Sequence, residues 1–313
     1  MKKPIEIYVV SGFLGSGKTT FLTQFIDSFS DKKVGILVNE LGAVSIDGIL
    51  IEQSGIQMRE ITSGSIYCYC KQGDFIKVLK SFSMTDIDVL IIENSGMADP
   101  SNIHGLLKQG EEVAGRSYDY KGAVCILDAM TFLNHVEVLP SIGNQVKCSN
   151  FIIINKIDMV TEAQLRKCRA KILEINEEVN VIEAVYSQVQ MEEVKKRLVD
   201  NGYDAETTNK CYNKFMSYAI ECDKNVTEEE ITKFVELVKD KLYRVKGFAK
   251  IETGWLQIDA MEKQVLIKEV NLQKKQKLDK TRIVVIGRDE TEFKEWLLAM
   301  WKESVDTLPK IYE

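Results

Sequence analysis

The chain of 313 residues is long enough for two domains of ordinary size, and 45% of its residues are hydrophobic, which is sufficient for globular cores. Its net charge of −6 argues against a general nucleic-acid-binding protein, because such proteins usually present a basic surface. Seven cysteines are scattered along the chain, so we expect a reducing cytoplasm and not a secreted disulfide scaffold. No apolar segment approaches the roughly 18 residues that span a membrane, and we expect no membrane partner.

The first residues are two lysines and an apolar run, as in a secretory signal peptide. The run Ile5–Val10 is too short for that, contains Glu6 and leads into a glycine-rich loop. We therefore predict a buried first strand.

Over residues 1–200, short apolar runs alternate with amphipathic helical patterns. Fully apolar strands that alternate with helices form parallel sheets covered on both faces, so we predict an α/β domain with a mostly parallel sheet. The predicted strands are Ile5–Val10, Val34–Val38, Val89–Glu93, Ala123–Leu127, Phe151–Ile154 and Val181–Val185. The predicted helices are Lys18–Phe29, Asp74–Phe82, Ala163–Ile175 and Met191–Leu198.

The pattern changes near residue 201, where "NGYDAETTNK" is polar and aperiodic and is predicted to be a linker. Beyond it we predict a smaller α+β domain over residues 201–313 with a largely antiparallel sheet. Thr227 and Glu230 form a capping-box pattern that predicts a helix running through Leu242. The predicted strands are Phe215–Glu221, Gly247–Glu252, Trp255–Ala260, Gln264–Val270 and Arg282–Ile286, with a last helix near Glu290.

A phosphate-binding loop is predicted between the first strand and the first helix, where "GFLGSGKT" satisfies G-x-x-x-x-G-K-[ST]. Glycines let backbone N–H groups point at phosphate oxygens, and the following helix adds its positive end. Lys18 would neutralise the β- and γ-phosphates during hydrolysis, and the Thr19 hydroxyl would bind Mg²⁺. The predicted nucleotide contacts here are Gly15, Ser16, Gly17, Lys18, Thr19 and Thr20.

A guanine-reading motif is predicted further along the chain, where "FIIINKIDMV" places Asn155, Lys156 and Asp158 after a strand. In N-K-x-D the aspartate carboxylate accepts two N–H donors of guanine, and adenine would leave that carboxylate unpaired. GTP is therefore favoured, with an ATP-dependent assembly protein as the weaker alternative. Ser187, just after the predicted strand Val181–Val185, lies where GTPases place a backbone contact to guanine.

A third nucleotide-site element is "DVLIIENSGMADP", in which an apolar strand ends at Glu93. An acid at this position can hold Mg²⁺ or position the attacking water, and Gly96 leaves room for the γ-phosphate. The alternative is a capped strand followed by a turn. Asp47, in "SIDG", is a further catalytic candidate, or simply a turn aspartate before glycine.

These elements together resemble the GTPase family that includes CobW, HypB and UreG, and above all its CobW-like branch. That branch has "GFLGAGKTT" where this chain has "GFLGSGKTT", and "NEFGEVGIDG" in switch I where Asn39–Gly48 reads "NELGAVSIDG". Its Walker B strand also ends in glutamate, as at Glu93. In the second domain, Arg244, Lys246 and Gly247 resemble the R-x-K-G pattern of the CobW C-terminal domain.

The resemblance implies a slow GTPase that acts as a metallochaperone or assists metallocofactor assembly. Unassisted switch GTPases turn over at about 10⁻⁴ s⁻¹. The implied ligands are GTP and Mg²⁺. The implied partners are a client metalloprotein or metallocofactor enzyme and a second copy of the chain in a nucleotide-dependent homodimer. The sequence leaves the metal open, and a cobalt- or corrinoid-linked client, zinc and nickel are all compatible with it.

The chain departs from the branch at its C-x-C-C metal motif, typically "GCICC". From Gly64 it reads "GSIYC", so Ser65 and Tyr67 stand at the first two cysteine positions and Cys68 at the third. Ala43 stands where the family's switch I has a second glutamate.

Three interpretations of Cys68 and Cys70 remain open. Both thiolates would point to one side of an extended segment, and with Glu40 they could form a modified site for Zn²⁺, Co²⁺ or Ni²⁺. Alternatively, the segment has lost its metal and serves as a GTP-sensitive partner surface, or the cysteines are a redox pair or incidental packing. His104 and His135 are predicted to be surface or capping residues. The other cysteines, Cys125, Cys148, Cys168, Cys211 and Cys222, are predicted to be small buried hydrophobic residues.

Overall fold

The computed structural model describes residues 3–39, 56–61, 65–67, 71–208, 216–261, 264–270, 278–287, 292–305 and 307–312. They form two compact units, one made of the described residues up to position 208 and the other of those from position 216 onward. The predictions for Glu40, Asp47, Cys68 and Cys70 lie outside the described residues. In the described part of the chain, no helix is long and apolar enough to cross a membrane.

The first unit is built on a seven-stranded sheet with the order β3-β2-β4-β1-β5-β6-β7. Every pairing in it is parallel, which confirms the predicted α/β fold. The strands are β1 (Ile5–Ser11), β2 (Val34–Asn39), β3 (Gln57–Ile61), β4 (Val89–Glu93), β5 (Tyr118–Asp128), β6 (Phe151–Asn155) and β7 (Asn180–Glu183).

Seven described α-helices accompany this sheet. They are α1 (Lys18–Asp27), α2 (Gln72–Ser83), α3 (Ile103–Ala114), α4 (Phe132–Val138), α5 (Pro140–Lys147), α6 (Glu162–Ile175) and α7 (Met191–Arg197). Sequence patterns did not predict α3, α4, α5 or β3. Glycines interrupt the apolar pattern of α3, and one of them, Gly110, packs so closely on α2 that a Cβ there would lie 2.6 Å from Leu79 Cδ1. β3 is an edge strand with mostly exposed or half-buried side chains, so it lacks the apolar run of the inner strands.

The sheet separates two hydrophobic layers, because successive side chains of a strand point to opposite faces. From β1, Tyr8 and Val10 pack with Phe21 and Phe25 of α1 on one face. Ile5, Ile7 and Val9 face the other layer, whose members include Tyr67, Phe75 and Leu79.

The second unit contains a six-stranded antiparallel sheet with the order β11-β10-β9-β12-β8-β13. Its apolar face packs with two helices around the buried Phe234 and Trp301. The elements are β8 (Met216–Cys222), α8 (Glu228–Val238), β9 (Leu242–Ile251), β10 (Gly254–Met261), β11 (Gln264–Val270), β12 (Thr281–Gly287), α9 (Phe293–Ser304) and β13 (Lys310–Tyr312).

The start of α8 was predicted correctly and its end was wrong. Thr227 Oγ1 accepts from Glu230 N over 3.1 Å, and the Thr227 N–H donates to Glu230 Oε2 over 2.7 Å, which completes the capping box. The helix ends at Val238, and Leu242 is the first residue of β9, where it pairs with Gly287 of β12. Strand pairing therefore begins where the apolar pattern had suggested more helix.

The R-x-K-G residues have a structural explanation within β9. The Arg244 guanidinium donates to both carboxylate oxygens of Asp259 on the neighbouring strand, over 3.2 and 2.9 Å. Gly247 sits so close to β12 that a Cβ would lie 2.2 Å from Arg282 O. The pattern thus marks a cross-strand ion pair followed by a close backbone approach.

Candidate nucleotide-binding site

The glycine-rich loop joins β1 to α1 in a conformation that needs glycine. Gly12, Gly15 and Gly17 have φ values of +133°, +67° and +110°, which L side chains rarely adopt. A Cβ at Gly12 would also lie 2.2 Å from Ile126 O, in the neighbouring strand β5. The loop is therefore a close-fitting backbone cradle of the kind that binds phosphate.

Lys18 and Phe13 fix the shape of this loop. The buried Lys18 ammonium donates to Gly12 O over 2.8 Å and to Phe13 O over 3.0 Å. The Phe13 ring packs on the His135 ring, with centroids 4.3 Å apart. His135 is only 6% exposed, so its prediction as a surface or capping residue was wrong: it supports the loop.

Asn155 connects the phosphate loop to the segment that carries Ser187. Its Nδ2 donates to Ser16 O over 2.8 Å, and its Oδ1 accepts from Ser187 N over 2.8 Å. Ser187 Oγ in turn donates to Gly17 O over 3.2 Å. Three segments that are far apart in sequence thus meet through buried hydrogen bonds.

The segments beside Asn155 carry unusual backbone conformations. Lys156, Tyr186 and Ser187 have φ values of +60°, +52° and +54°, although none is glycine. Such conformations cost free energy and persist where surrounding contacts enforce them, which is typical of binding sites. Asp158, in the 3₁₀ turn Ile157–Met159, has an exposed side chain, so its carboxylate is accessible to a ligand.

Asp128 is a site residue that sequence reasoning missed. Its Oδ2 lies 2.7 Å from Lys156 Nζ, and its Oδ1 accepts from Met130 N over 2.8 Å. Asp128 is 3% exposed and is the register partner of Asn155 on the neighbouring strand. The available signal was an acidic residue ending an apolar strand beside the strand that carries N-K-x-D.

The turn after β4 lies against the phosphate loop. Glu93 is buried and is the register partner of Val10 in β1. A Cβ at Gly96 would lie 2.6 Å from the Leu14 backbone nitrogen, so only glycine fits without displacing one of the two segments. The structure therefore brings Glu93 and Gly96 to the phosphate loop, whereas Asp47 lies outside the described residues.

The far end of this turn is firmly held. Gln145 Nε2 donates to Gly96 O over 3.2 Å and to Ala98 O over 2.8 Å. The wholly buried Asp99 carboxylate accepts hydrogen bonds from three segments that follow it in the chain. Its donors are Ser101 N, Ser101 Oγ, Asn144 Nδ2, Thr208 N and Thr208 Oγ1.

The site contains buried polar atoms suited to a ligand. Ser16 Oγ, Asn94 Nδ2 and Ser95 Oγ have no hydrogen-bond partner among the described residues. Burying such groups unpaired is costly, so their position on the phosphate loop and the adjoining turn fits a polar ligand such as a triphosphate. The Thr19 hydroxyl and the Glu93 carboxylate are hard oxygen donors, which suit Mg²⁺.

Residues 64–70, which contain Cys68 and Cys70, are called the cysteine segment, and its described residues 65–67 are buried. Ser65 and Tyr67 are 8% and 0% exposed, and Tyr67 Oη donates to Asn94 Oδ1 over 2.7 Å. Burial raises the Tyr67 pKa well above its usual range, so the phenol stays protonated. Among the described residues, no group of three or more His, Cys, Asp or Glu side chains could hold a metal ion.

Comparison with known families decides the relationship. Residues 6–183 match the family described as "CobW/HypB/UreG, nucleotide-binding domain", and residues 215–303 match the "Cobalamin synthesis protein cobW C-terminal domain". The chain belongs to the CobW/HypB/UreG family. Its first unit is the P-loop nucleotide-binding domain of that family.

Individual relatives are distant. The "Zinc chaperone YjiA" of Escherichia coli (strain K12) is 27% identical over 269 residues, which cover 80% of this chain and 83% of the relative. The "Zinc-regulated GTPase metalloprotein activator 1" of Dictyostelium discoideum is 27% identical over 228 residues, 61% of this chain and 48% of the relative, so the match spans about half of that protein. The crystal structure of zinc-bound YjiA GTPase from E. coli is 21% identical, covers 97% of this chain and 99% of that chain, and has a TM-score of 0.46.

Proposed function

We propose that this chain is a slow GTPase that hydrolyses GTP to GDP and phosphate and uses the change of nucleotide to serve a metalloprotein or a metallocofactor enzyme. The observation that carries the proposal is the Asn155 side chain, which ties the phosphate loop to the Ser187 segment beside the exposed Asp158. Membership in the family supports the same conclusion.

The proposed chemistry assigns a role to each part of the site. Loop amides and Lys18 stabilise charge on the phosphates, while Asn155, Lys156 and Asp158 select guanine. Thr19 and Glu93 are the proposed Mg²⁺ ligands, and bound Mg²⁺ would neutralise charge on the β- and γ-phosphates. Glu93 also positions the attacking water, with Asp47 as a further proposed catalytic residue.

Zinc is the proposed cargo, because the names of the two relatives described above both include zinc. Its proposed ligands are Cys68, Cys70 and Glu40, with Co²⁺ and Ni²⁺ as alternatives. A corrinoid-linked client is a second proposal for the partner. The four described cysteines are buried free thiols, which supports a reducing compartment such as the cytoplasm.

A second candidate function is a GTP-dependent partner switch that carries no metal. It is favoured by the buried Tyr67, whose hydroxyl hydrogen-bonds to Asn94 at a position where relatives place a cysteine. A protonated phenol inside a hydrophobic core is a poor substitute for a thiolate ligand.

Base selection is tested by measuring the affinities of the full chain for GTP, ATP and XTP. We expect GTP to bind most tightly. Asp158→Asn should weaken GTP binding and strengthen XTP binding. The asparagine amide can donate a hydrogen bond to the xanthine C2 oxygen, which replaces the guanine amino group. Asp86→Asn, at an exposed surface ion pair, is the control and should leave the order unchanged. A preference for ATP would overturn the guanine assignment.

Metal carriage is tested by titrating Zn²⁺, Co²⁺ and Ni²⁺ into reduced protein bound to GDP or to a GTP analogue with Mg²⁺. Micromolar binding that depends on the nucleotide and is lost in Cys68→Ser and Cys70→Ser supports a metallochaperone. Cys222→Ser, at a buried thiol of the second unit, is the control. If no metal binds in either nucleotide state, the partner switch is the better description. Sedimentation of the same samples tests the proposed nucleotide-dependent homodimer.

A further inference from the structure

The Tyr67–Asn94 hydrogen bond links the cysteine segment to the γ-phosphate end of the proposed site. Tyr67 directly precedes Cys68 in the chain, and Asn94 directly follows Glu93. The two side chains are 0% and 1% exposed, and 2.7 Å separates the Tyr67 hydroxyl oxygen from Asn94 Oδ1. The contact is therefore a dry hydrogen bond between two loops, 27 residues apart in sequence.

Asn94 is held by the backbone as well as by Tyr67. Its N–H donates to Val10 O over 2.9 Å, at the point where β1 runs into the phosphate loop. Two residues further on, Gly96 packs against Leu14 of that loop. Asn94 thus occupies the short stretch between Glu93 and a glycine that both lie beside the phosphate loop.

The Asn94 amide has one satisfied end and one unsatisfied end. Oδ1 accepts the Tyr67 hydroxyl, whereas the buried Nδ2 has no hydrogen-bond partner among the described residues. The Tyr67 hydroxyl fixes the orientation of the Asn94 amide, because the amide oxygen must face the hydroxyl donor. The N–H₂ group then points away from Tyr67. An N–H₂ group kept inside the protein without an acceptor is costly and is typical of a site that receives one from a ligand.

We propose that Asn94 Nδ2 donates a hydrogen bond to an oxygen of the reacting γ-phosphate, and that Tyr67 is the positioning residue that turns the amide toward it. The inference rests on the proposed GTPase function and adds a contact at its reaction centre. It also gives Tyr67 a role that its relatives' cysteine would not have: this chain uses the position to orient a catalytic-site amide.

The segment around Tyr67 is fixed to the sheet by a second buried amide, which makes the positioning rigid. Asn39, the last residue of β2, accepts from Ile66 N over 3.1 Å and donates to Ile61 O over 3.3 Å. Asn102 Nδ2 donates to Tyr67 O over 3.4 Å. A change in the cysteine segment that displaces Tyr67 would therefore reach the γ-phosphate through Asn94.

The test uses the full chain and the variants Tyr67→Phe, Asn94→Ala and the double variant. Tyr67→Phe keeps the ring in the core and removes only the hydroxyl. Single-turnover GTP hydrolysis should slow about fivefold to tenfold in Tyr67→Phe, the effect of one hydrogen bond, and by at least tenfold in Asn94→Ala. The double variant should be no slower than Asn94→Ala, since both act through one amide.

The matched control is Tyr118→Phe, which removes another buried tyrosine hydroxyl beside the same hydrophobic layer, one that has no hydrogen-bond partner among the described residues. It should hydrolyse GTP at the wild-type rate. GDP affinity should stay within about twofold in every variant, because GDP lacks the γ-phosphate. Thermal unfolding checks that each variant is folded.

Equal rates for Tyr67→Phe and Tyr118→Phe, or losses that multiply in the double variant, would overturn the inference. If the wild-type chain does not hydrolyse GTP, the proposed function fails instead. In that case nucleotide affinities still test the contact, since Tyr67→Phe should bind a GTP analogue more weakly than the wild-type chain and bind GDP equally well. Equal affinity of the two chains for the GTP analogue would refute the contact.

Discussion

Asn155 Oδ1 accepts a hydrogen bond from the Ser187 backbone N–H over 2.8 Å, while Nδ2 of the same side chain donates to Ser16 O over 2.8 Å. One buried amide therefore holds the phosphate loop and the Ser187 segment together. Asn155→Ala should weaken GTP binding by at least tenfold and lower the free energy of unfolding by about 2 kcal/mol or more, because buried groups on both segments lose their hydrogen-bond partner. Nucleotide titration and urea unfolding measure the two effects.

Asn176→Ala is the control for this prediction. Asn176 Nδ2 also bridges backbone carbonyls, donating to Val146 O and Ser149 O over 3.0 Å each, but it lies after α6 and outside the site. It should cost stability and leave GTP affinity unchanged. If the two variants bind GTP equally well, Asn155 is only a structural bridge.

Gly17→Ala should abolish tight GTP binding. The residue has φ +110°, and a Cβ would lie 2.4 Å from Asn155 Nδ2 and 2.7 Å from Ser187 Oγ, so the whole junction would have to move. Gly115→Ala also places an L side chain at positive φ, here the milder left-handed value of +63°, and a Cβ there meets nothing within 4 Å. It should cost about 1 kcal/mol of unfolding free energy and leave nucleotide affinity unchanged. Wild-type affinity in Gly17→Ala would mean that the junction does not shape the site.

Much of the first unit could be predicted because its strands are continuous apolar runs bounded by motifs with strict backbone requirements. β1 is followed by three glycines with positive φ, and β6 ends in the asparagine of N-K-x-D. The second unit was predicted less accurately at β9, since alternating strands and amphipathic helix ends have similar apolar content. Pairing with β12, a long-range contact, decides that Leu242 is strand.

Contacts between side chains of distant segments could not be predicted from local sequence, even where one partner, such as the acid that ends β5, was a visible feature. Asp128 is the register partner of Asn155 only because β5 and β6 are neighbours in the sheet, and sequence order alone does not set that register. Tyr67 was noted in the sequence only as a departure from a motif, and Asn94 was not singled out at all. Their hydrogen bond depends on how two loops meet at the carboxyl ends of the strands.

Asp128→Asn should weaken GTP binding by about tenfold. The buried carboxylate lies 2.7 Å from Lys156 Nζ, and losing its charge releases the lysine that precedes Asp158, the proposed guanine-binding residue, by two positions. The control is Asp119→Asn at the opposite end of β5. Its carboxylate lies 2.6 Å from Lys121 Nζ but is 49% exposed, and exposed ion pairs contribute little. Equal GTP affinity in the two variants would exclude a role for Asp128 in positioning.

The free energy of unfolding should fall as the pH rises from about 9 to 12. Burial raises the pKa of Cys125 and of Cys148 to about 12, from an ordinary value of 9.0. As the pH rises, the unfolded chain therefore loses these protons before the folded chain does. Deprotonation stabilises the unfolded state relative to the folded state across that range. Urea unfolding at several pH values should show a shallower decline in the Cys125→Ala/Cys148→Ala double variant. Identical slopes would mean that these thiols do not contribute.

Gly96→Ala should impair both GTP hydrolysis and GTP binding, because the added methyl group would press on the phosphate loop itself. Tyr67→Phe, by contrast, should slow hydrolysis and leave GDP affinity unchanged. A Cβ at Gly96 would lie 2.6 Å from the Leu14 backbone nitrogen and 2.6 Å from its Cδ2, so the turn after Glu93 and the loop must move apart. We expect at least a tenfold loss in GTP hydrolysis together with weaker GTP binding. Gly105→Ala, inside α3 with nothing within 4 Å of the added Cβ, is the control and should stabilise the chain by up to about 1 kcal/mol without changing turnover. Unchanged hydrolysis in Gly96→Ala would show that the turn and the loop can separate without cost to the reaction, and would weaken the placement of Glu93 at the γ-phosphate.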